Sequence, residues 1–241
     1  MDQLRLLTFG GLGLYVGGAS YTGTATSRQR LALLALLAVA RDRGLNRDKI
    51  QLYLWPDSDA QRARQGLNQV VYVQRRQLGG EGMFLGRKTL RLNAKLMSSD
   101  VWEFQDALDA GNAEAAVRLY KGPFLDGFFL KGAAEFEHWA AEQRRRFESQ
   151  CAQAAGQLAA AAATRGDQRQ ALDWWGRAAE LNPFDTETVL HLIEAWVATG
   201  DRAAAVRCAQ HYEDALRKEL GLPPDARVKN RIAQLRGAAG S

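Results

Sequence analysis

Two stretches of this chain superpose on each other. "TRGDQRQAL" and "ATGDRAAAV" place Gly166 on Gly200, Asp167 on Asp201 and Ala171 on Ala205, each at an offset of 34. A fixed period of this length marks a helix–turn–helix unit that cannot bury its apolar face alone and must stack on a neighbour. The "LNP" at Leu181–Pro183 closes the first unit as a repeat boundary. The repeat therefore commits the second half of the chain to packed helical hairpins. From "KLMSSDVWEF" onward nearly every segment has helical period, with helices expected at about 100–110, 112–121, 133–165, 167–181, 185–199, 201–219 and 225–236. Asp100 followed by Glu103 reads as a capping box with Asp in the Ser position.

The first 97 residues follow a different pattern. In "LRLLTFGGLGLYVGG", Leu4–Phe9 and Leu12–Val16 are short apolar segments parted by glycines, which predicts a β-hairpin or small meander. Gly11 and Gly13 begin a GxG, but Val16 stands where a dinucleotide fingerprint needs Gly or Ala, and no βαβ unit follows. Ser27 is the expected N-cap of a first helix running to about Arg43, and Asn46 that of a second, "RDKIQLYLW", ending before Pro56. A third covers about Ala60 to Leu78 and stops at Gly79-Gly80. Met83–Leu85 and Thr89–Leu92 then flank Gly86-Arg87-Lys88, the pattern of a hairpin. Three helices closed by a β-hairpin wing form a winged helix-turn-helix. The predicted fold is thus mainly α with small β elements: a winged helix-turn-helix domain over 1–97, followed by an all-α, TPR-like helical domain over 98–241.

Charge divides the same way. Residues 1–97 hold 15 Lys and Arg against 6 Asp and Glu, whereas 98–241 hold 17 against 21. A basic first part suits a polyanionic partner. The third helix shows which face would meet it. At about 100° per residue, Ala63, Leu67, Val70, Val71 and Leu78 form one apolar stripe. Gln61, Gln65, Asn68, Gln69, Tyr72, Arg75 and Arg76 occupy the other side, and no acid occurs between Ala60 and Gly80. Gln74 alone breaks the pattern, falling on the apolar side, where a neighbouring backbone group or partial solvation would have to satisfy it. A merely solvated face would mix Glu with Lys and gain i,i+4 pairs. This one instead carries the side chains that read base edges: Gln and Asn for adenine, Arg for guanine, and a Tyr ring and hydroxyl. Arg62 and Arg64 flank the helix start, where phosphate is favoured, and Arg87 and Lys88 form the wing tip.

"LNQVVYVQRRQLGG", followed by "LRLN" and "SSDVWEF", resembles the SARP-type bacterial activators (Streptomyces antibiotic regulatory protein-like). "GPFLDGFFLKGAAEFEHWAAEQRRR" at Gly122–Arg146 and "DALRKELGLPPDA" at Asp214–Ala226 resemble parts of their helical activation domain. The resemblance spans essentially the whole chain and is most specific in the middle segment. It implies an OmpR-type winged helix followed by a bacterial transcriptional activation domain (BTAD). By analogy, Gln65, Asn68, Gln69, Tyr72, Arg75 and Arg76 lie on a recognition helix, and Arg87 and Lys88 on the wing. It also implies activators that bind direct repeats upstream of a promoter as side-by-side protomers, a homodimer on DNA, and help RNA polymerase holoenzyme engage. Gln74 departs from the family, which usually has Leu there.

No catalytic or cofactor motif appears. His138, His191 and His211 lack metal-ligand spacing, and neither GxxxxGK[ST] nor GxSxG occurs. Neither an enzyme nor a cofactor is expected. Glu135, Glu137 and Glu142 read as a solvated helix face. The aromatics from Trp102 to Trp139 read as mutual burial under the Phe124–Leu130 loop, and of Trp174 and Trp175 one is expected to border a groove. The N-terminus does not read as a secretory signal, because Asp2 and Arg5 interrupt it, and Cys151 and Cys208 form no CxxC. The longest apolar run, Leu31–Ala40, falls short of the roughly 20 residues of a bilayer span. A cytoplasmic, membrane-free protein is the expectation. Two other functions fit the same residues: a TPR-like protein-interaction adaptor and a ligand sensor, each with an accessory DNA-binding domain.

Overall fold

The computed structural model describes residues 4–237; Asp2 and most of the "RGAAGS" ending lie outside them. Its strands are β1 Leu4–Leu7, β2 Gly13–Val16, β3 Ala19–Ser20, β4 Leu45–Asn46, β5 Phe84–Leu85, β6 Thr89–Leu92 and β7 Met97–Ser99. The helices are α1 Arg28–Ala40, α2 Arg47–Leu54, α3 Ala60–Leu78, α4 Asp100–Asp109, α5 Ala113–Leu119, α6 Ala134–Thr164, α7 Gln168–Leu181, α8 Thr186–Ala198, α9 Arg202–Ala215 and α10 Ala226–Gly237. The chain is mainly helical with small sheets, as its two patterns require. It divides into two compact units, the first ending at Phe147.

In the first unit α1 is the central element. All ten residues from Leu31 to Ala40 are buried, so the helix is apolar all round because it is covered all round. Ser27 sits at its N-cap, yet its side chain makes no capping bond. Asn46 does cap α2, accepting from the Asp48 N–H at 2.9 Å. The predicted hairpin is β1 against β2, with Leu4 opposite Val16 and Leu7 opposite Gly13. The sheet order is β3-β2-β1-β7, and β7 joins parallel to β1 with Leu4 opposite Met97. This long-range pair returns the chain to its start after the winged helix is complete.

The capping box expected at Asp100 is not formed. Ser99 holds the N-cap position without capping the helix, its hydroxyl donating to the Asp100 carboxylate at 3.4 Å. Glu103 turns away to a two-pronged pair with Arg5, both contacts at 2.7 Å. Asp100 itself is 4% exposed. Its carboxylate accepts from the Thr8 N–H at 2.8 and 2.9 Å, the Thr8 hydroxyl at 2.7 Å, the Phe9 N–H at 2.9 Å and the Val101 N–H at 2.8 Å. The box failed because both acids found partners nearly a hundred residues away, Glu103 on β1 and Asp100 on the Thr8–Phe9 turn just past it. Burial outweighs these donors and holds the Asp100 pKa above the ordinary carboxylate value.

Beyond β1, Phe9 packs on Phe104, Tyr120, Phe124 and Phe147, with ring centroids 5.0–6.4 Å apart. The Leu125 N–H donates to the Thr8 carbonyl at 2.8 Å and the Trp102 indole to the Ala38 carbonyl at 2.7 Å. The Phe124–Leu130 loop thus covers an aromatic cluster, as expected, although its own Phe129 stays 59% exposed, and the cluster also takes in Phe9, just past β1. Compactness accordingly extends to Phe147, well past the composition change at residue 97. Glu135 and Glu142 are exposed, whereas Glu137 accepts from the Leu130 N–H at 2.7 Å and so fastens that loop.

The second unit holds residues 148–164 of α6 and α7 to α10. Asp167 and Asp201 cap α7 and α9 by accepting from the N–H three residues on, at 3.0 and 2.7 Å. Gly166 and Gly200 precede them at φ +83° and +88°, in the left-handed region that ends the helix before. Ala171 and Ala205 are buried where the helices meet. The 34-residue signal is therefore a turn that closes one helix and starts the next. A third copy lies in the first unit, where Gly111 (φ +68°) and Asn112 cap α5 at 3.0 Å; its different offset hid it from the period. Val189, Ile193, Tyr212, Val228 and Ile232 form the core of α8, α9 and α10. Trp175 stacks on the exposed His191 at 4.4 Å and borders a groove against α6. Cys151 and Cys208 are free thiols, and burial raises each pKa to about 11.

Candidate nucleic-acid interface

α3 forms because its apolar positions recur at helical spacing, and Asp59 starts it, accepting from the Arg62 N–H at 2.8 Å. Ala63, Leu67, Val70, Val71, Gln74 and Leu78 are its buried residues. Trp55, just beyond α2, packs close against the helix at Gly66. A Cβ there would come within 2.9 Å of the Trp55 ring, so glycine permits this approach of the helix-turn-helix.

Gln74 is wholly buried and donates from Nε2 to the Arg30 carbonyl of α1 at 2.8 Å. Its Oε1 has no partner among the described residues. The backbone bond foreseen for Gln74 exists, yet half of the amide is left unsatisfied. The Arg30 carbonyl also lies within the hydrogen-bonded ladder of α1. Gln74→Leu is therefore expected to stabilise the protein by about 1 kcal/mol, raising its melting temperature by roughly 2–4 °C. A melting temperature lowered by this substitution would show that the carboxamide is needed where it stands.

The opposite side of α3 is open. Arg62, Arg64, Gln65, Asn68, Gln69, Tyr72 and Arg76 are exposed, as are Arg87 and Lys88 on the wing. Tyr72 keeps 53% of its surface accessible, and its hydroxyl is 3.5 Å from Arg76. Arg75 differs from the rest. It is half-buried, and its guanidinium donates to Glu81 at 2.7 Å. The helix has no acid of its own, but the next turn supplies one. Such a pair, with Glu81 largely exposed, is worth little and exchanges readily for another anion.

The wing is β5 against β6, with Phe84 opposite Leu92 and Leu85 opposite Arg91. Gly86 turns it at φ +85°, and a Cβ there would lie 2.0 Å from the Thr89 carbonyl oxygen. β4 pairs with the far edge of β6, Asn46 opposite Thr89. This pairing brings in a residue that the sequence reading missed. Arg47, first in α2, donates to the Arg87 carbonyl at 3.1 Å and to Asn68 Oδ1 at 3.3 Å. It therefore links wing and third helix. Burial, and then the nearby charge of Arg75, lower its pKa below the ordinary arginine value. A basic residue directly after the Asn46 cap was the one local signal of it.

The sequence-nominated side chains thus share one basic surface formed by α3, the start of α2 and the wing. Arg75 is the partial exception. The surface offers amide and guanidinium donors at its centre and cations at its ends, with the Glu81 carboxylate beside Arg75. Among the described residues no three of His, Cys, Asp or Glu are grouped to hold a metal, and no helix is long and apolar enough to cross a membrane.

A family model described as the bacterial transcriptional activator domain matches residues 100–236. The solved structure of Mycobacterium tuberculosis EmbR, in complex with a low affinity phosphopeptide, is similar to this chain with a TM-score of 0.68 at 20% identity. The match covers 99% of this chain and 66% of that one, so this chain spans just under two thirds of EmbR's length. At that identity the likeness is one of fold. No curated protein matches.

Proposed function

This chain belongs to the bacterial transcriptional activator domain family, that of the SARP-type activators, and from that premise we propose that it reads a promoter-upstream site in duplex DNA and brings RNA polymerase holoenzyme to it. Residues 1–97 are the DNA-binding domain in this proposal, and residues 98–241 the activation domain. The observation that carries it is the open side of α3, free of its own acids and joined to the wing tip through Arg47. Asn68, Gln65, Gln69, Tyr72 and Arg75 enter the major groove. Arg62, Arg64, Arg76, Arg87 and Lys88 hold the phosphates on either side. Protomers sit side by side on direct repeats, which calls for head-to-tail rather than two-fold contacts.

Selection of bound sites from random DNA tests the proposal in one measurement, since it yields the half-site, its spacing and its orientation. An inverted repeat would remove the head-to-tail arrangement, and no enriched sequence would remove specific recognition. Affinity for the selected site is expected to fall with salt at a log–log slope near −5, from roughly six phosphate contacts. Lys88→Ala should reduce that slope by about one and weaken all sequences alike. A change of preferred sequence in Lys88→Ala would instead place the wing tip on bases.

A further inference from the structure

We propose that the first unit contains a second anion site, a cleft between α1, α2 and the start of α6 that takes a small phosphate-bearing ligand. The cleft has a volume of about 350 Å³, within the range of small-molecule sites. Arg43, Lys49 and Arg146 line it, one from each of three segments: the turn after α1, α2 itself, and α6. All three are exposed, and none forms an ion pair with a carboxylate among the described residues. Glu142 is the one acid on the lining and Gln143 the one carboxamide. The opening therefore carries an excess of two positive charges.

Two of the three cations, Lys49 and Arg146, rest against aromatic rings. The Lys49 ammonium lies 5.8 Å from the Tyr53 ring centroid, and that ring packs on Trp139 at 6.1 Å. The Arg146 guanidinium lies 5.4 Å from the Phe147 ring centroid and donates to Gln143 at 3.3 Å. Gln143 is itself 8% exposed. Like charges gathered at one opening repel each other unless an anion lies among them, and several fixed N–H donors around one volume suit phosphate oxygens. The cleft is not part of the DNA surface described above. On α2, Lys49 and Tyr53 lie about 200° and 240° around the helix from Arg47, and Arg47 is the side that meets Asn68 and the wing. A ligand bound here would tie the helix-turn-helix to α6. That would give the first unit a small-molecule input and goes beyond the DNA-binding proposal.

Calorimetric titration of the full chain with inorganic phosphate, pyrophosphate and a nucleoside monophosphate tests this at low salt. The third probe reports whether the Tyr53 ring adds to the phosphate contacts. Saturable binding of at least one probe is expected, weakened about tenfold in Lys49→Ala and in Arg146→Ala and partly restored in Arg146→Lys. Arg118→Ala, which removes an equal charge from a surface pair with Glu114, should bind as the parent does. Melting curves show that each variant is folded. Absence of saturable binding by the parent overturns the proposal, as does equal weakening in Arg118→Ala. DNA affinity of the same variants is a separate arm. If Lys49→Ala and Arg146→Ala weaken DNA binding while no probe binds, these cations serve the DNA backbone, and the cleft proposal fails while the DNA proposal stands.

Discussion

Replacing Asn68, Tyr72 and Arg75 together with alanine is expected to reduce binding at the selected site to the level of unrelated DNA. Each base contact of this kind is worth roughly 1–3 kcal/mol of discrimination. Losing three would remove most of the gap of about 4–10 kcal/mol that commonly separates specific from nonspecific binding. Asn68 and Tyr72 are exposed and Arg75 half-buried, so the fold should survive with only a small change in melting temperature. The residual binding should keep most of its salt dependence, because Arg62, Arg64, Arg76, Arg87 and Lys88 remain. Competition between the selected site and a scrambled duplex measures the effect. A triple variant that still discriminated between them would mean that another surface reads the sequence.

The second large effect is on stability. Asp100→Ala removes the acceptor for three backbone N–H groups and two hydroxyls, those of Thr8 and Ser99, at a site that is 4% exposed. It also removes a negative charge from the first turn of α4, where the helix dipole favours one. A loss of about 3–5 kcal/mol is expected, or a fall in melting temperature on the order of 10 °C. Thermal unfolding measures it, and a fall of only a degree or two would show that the Thr8–Phe9 turn finds other acceptors. The intact residue has its own pH signature. Its pKa is higher in the folded chain than the ordinary carboxylate value, so the folded protein holds this proton more tightly. The stability Asp100 contributes is fullest below the ordinary carboxylate range. It declines as pH rises through that range toward the folded value.

These two sites show where sequence reading succeeds and where it stops. Ala60–Leu78 could be delimited in advance because its apolar stripe and terminal Gly79-Gly80 are local signals. The same holds for the wing, which turns on Gly86, and for the paired Gly-Asp turns at 166–167 and 200–201. Asp100 and Glu103 were assigned to a local motif because only local partners are visible in a sequence. Their partners, Thr8, Phe9 and Arg5, are brought to them by the parallel pairing of β7 with β1. Arg47 and Glu81 escaped notice for a related reason. Arg47 meets Asn68 and Arg87 only once β4 has paired with β6. Glu81 reaches Arg75 from the turn that follows the helix, beyond the i,i+4 spacing that signals helical pairs.

The sequence by itself determined the alternation of elements, the helical hairpins of the second half and the polar face of α3. Each follows from backbone period, from a glycine needing positive φ or from a cap within three residues. The tertiary structure alone decided that Phe9 joins Phe104, Tyr120, Phe124 and Phe147, carrying the first compact unit to Phe147. It also decided that Gln74 is buried with one atom unsatisfied, and that Arg43, Lys49 and Arg146 share a cleft. Side chains far apart in the chain meet only when the core closes, and the free energy that brings them together is burial, which has no period to read.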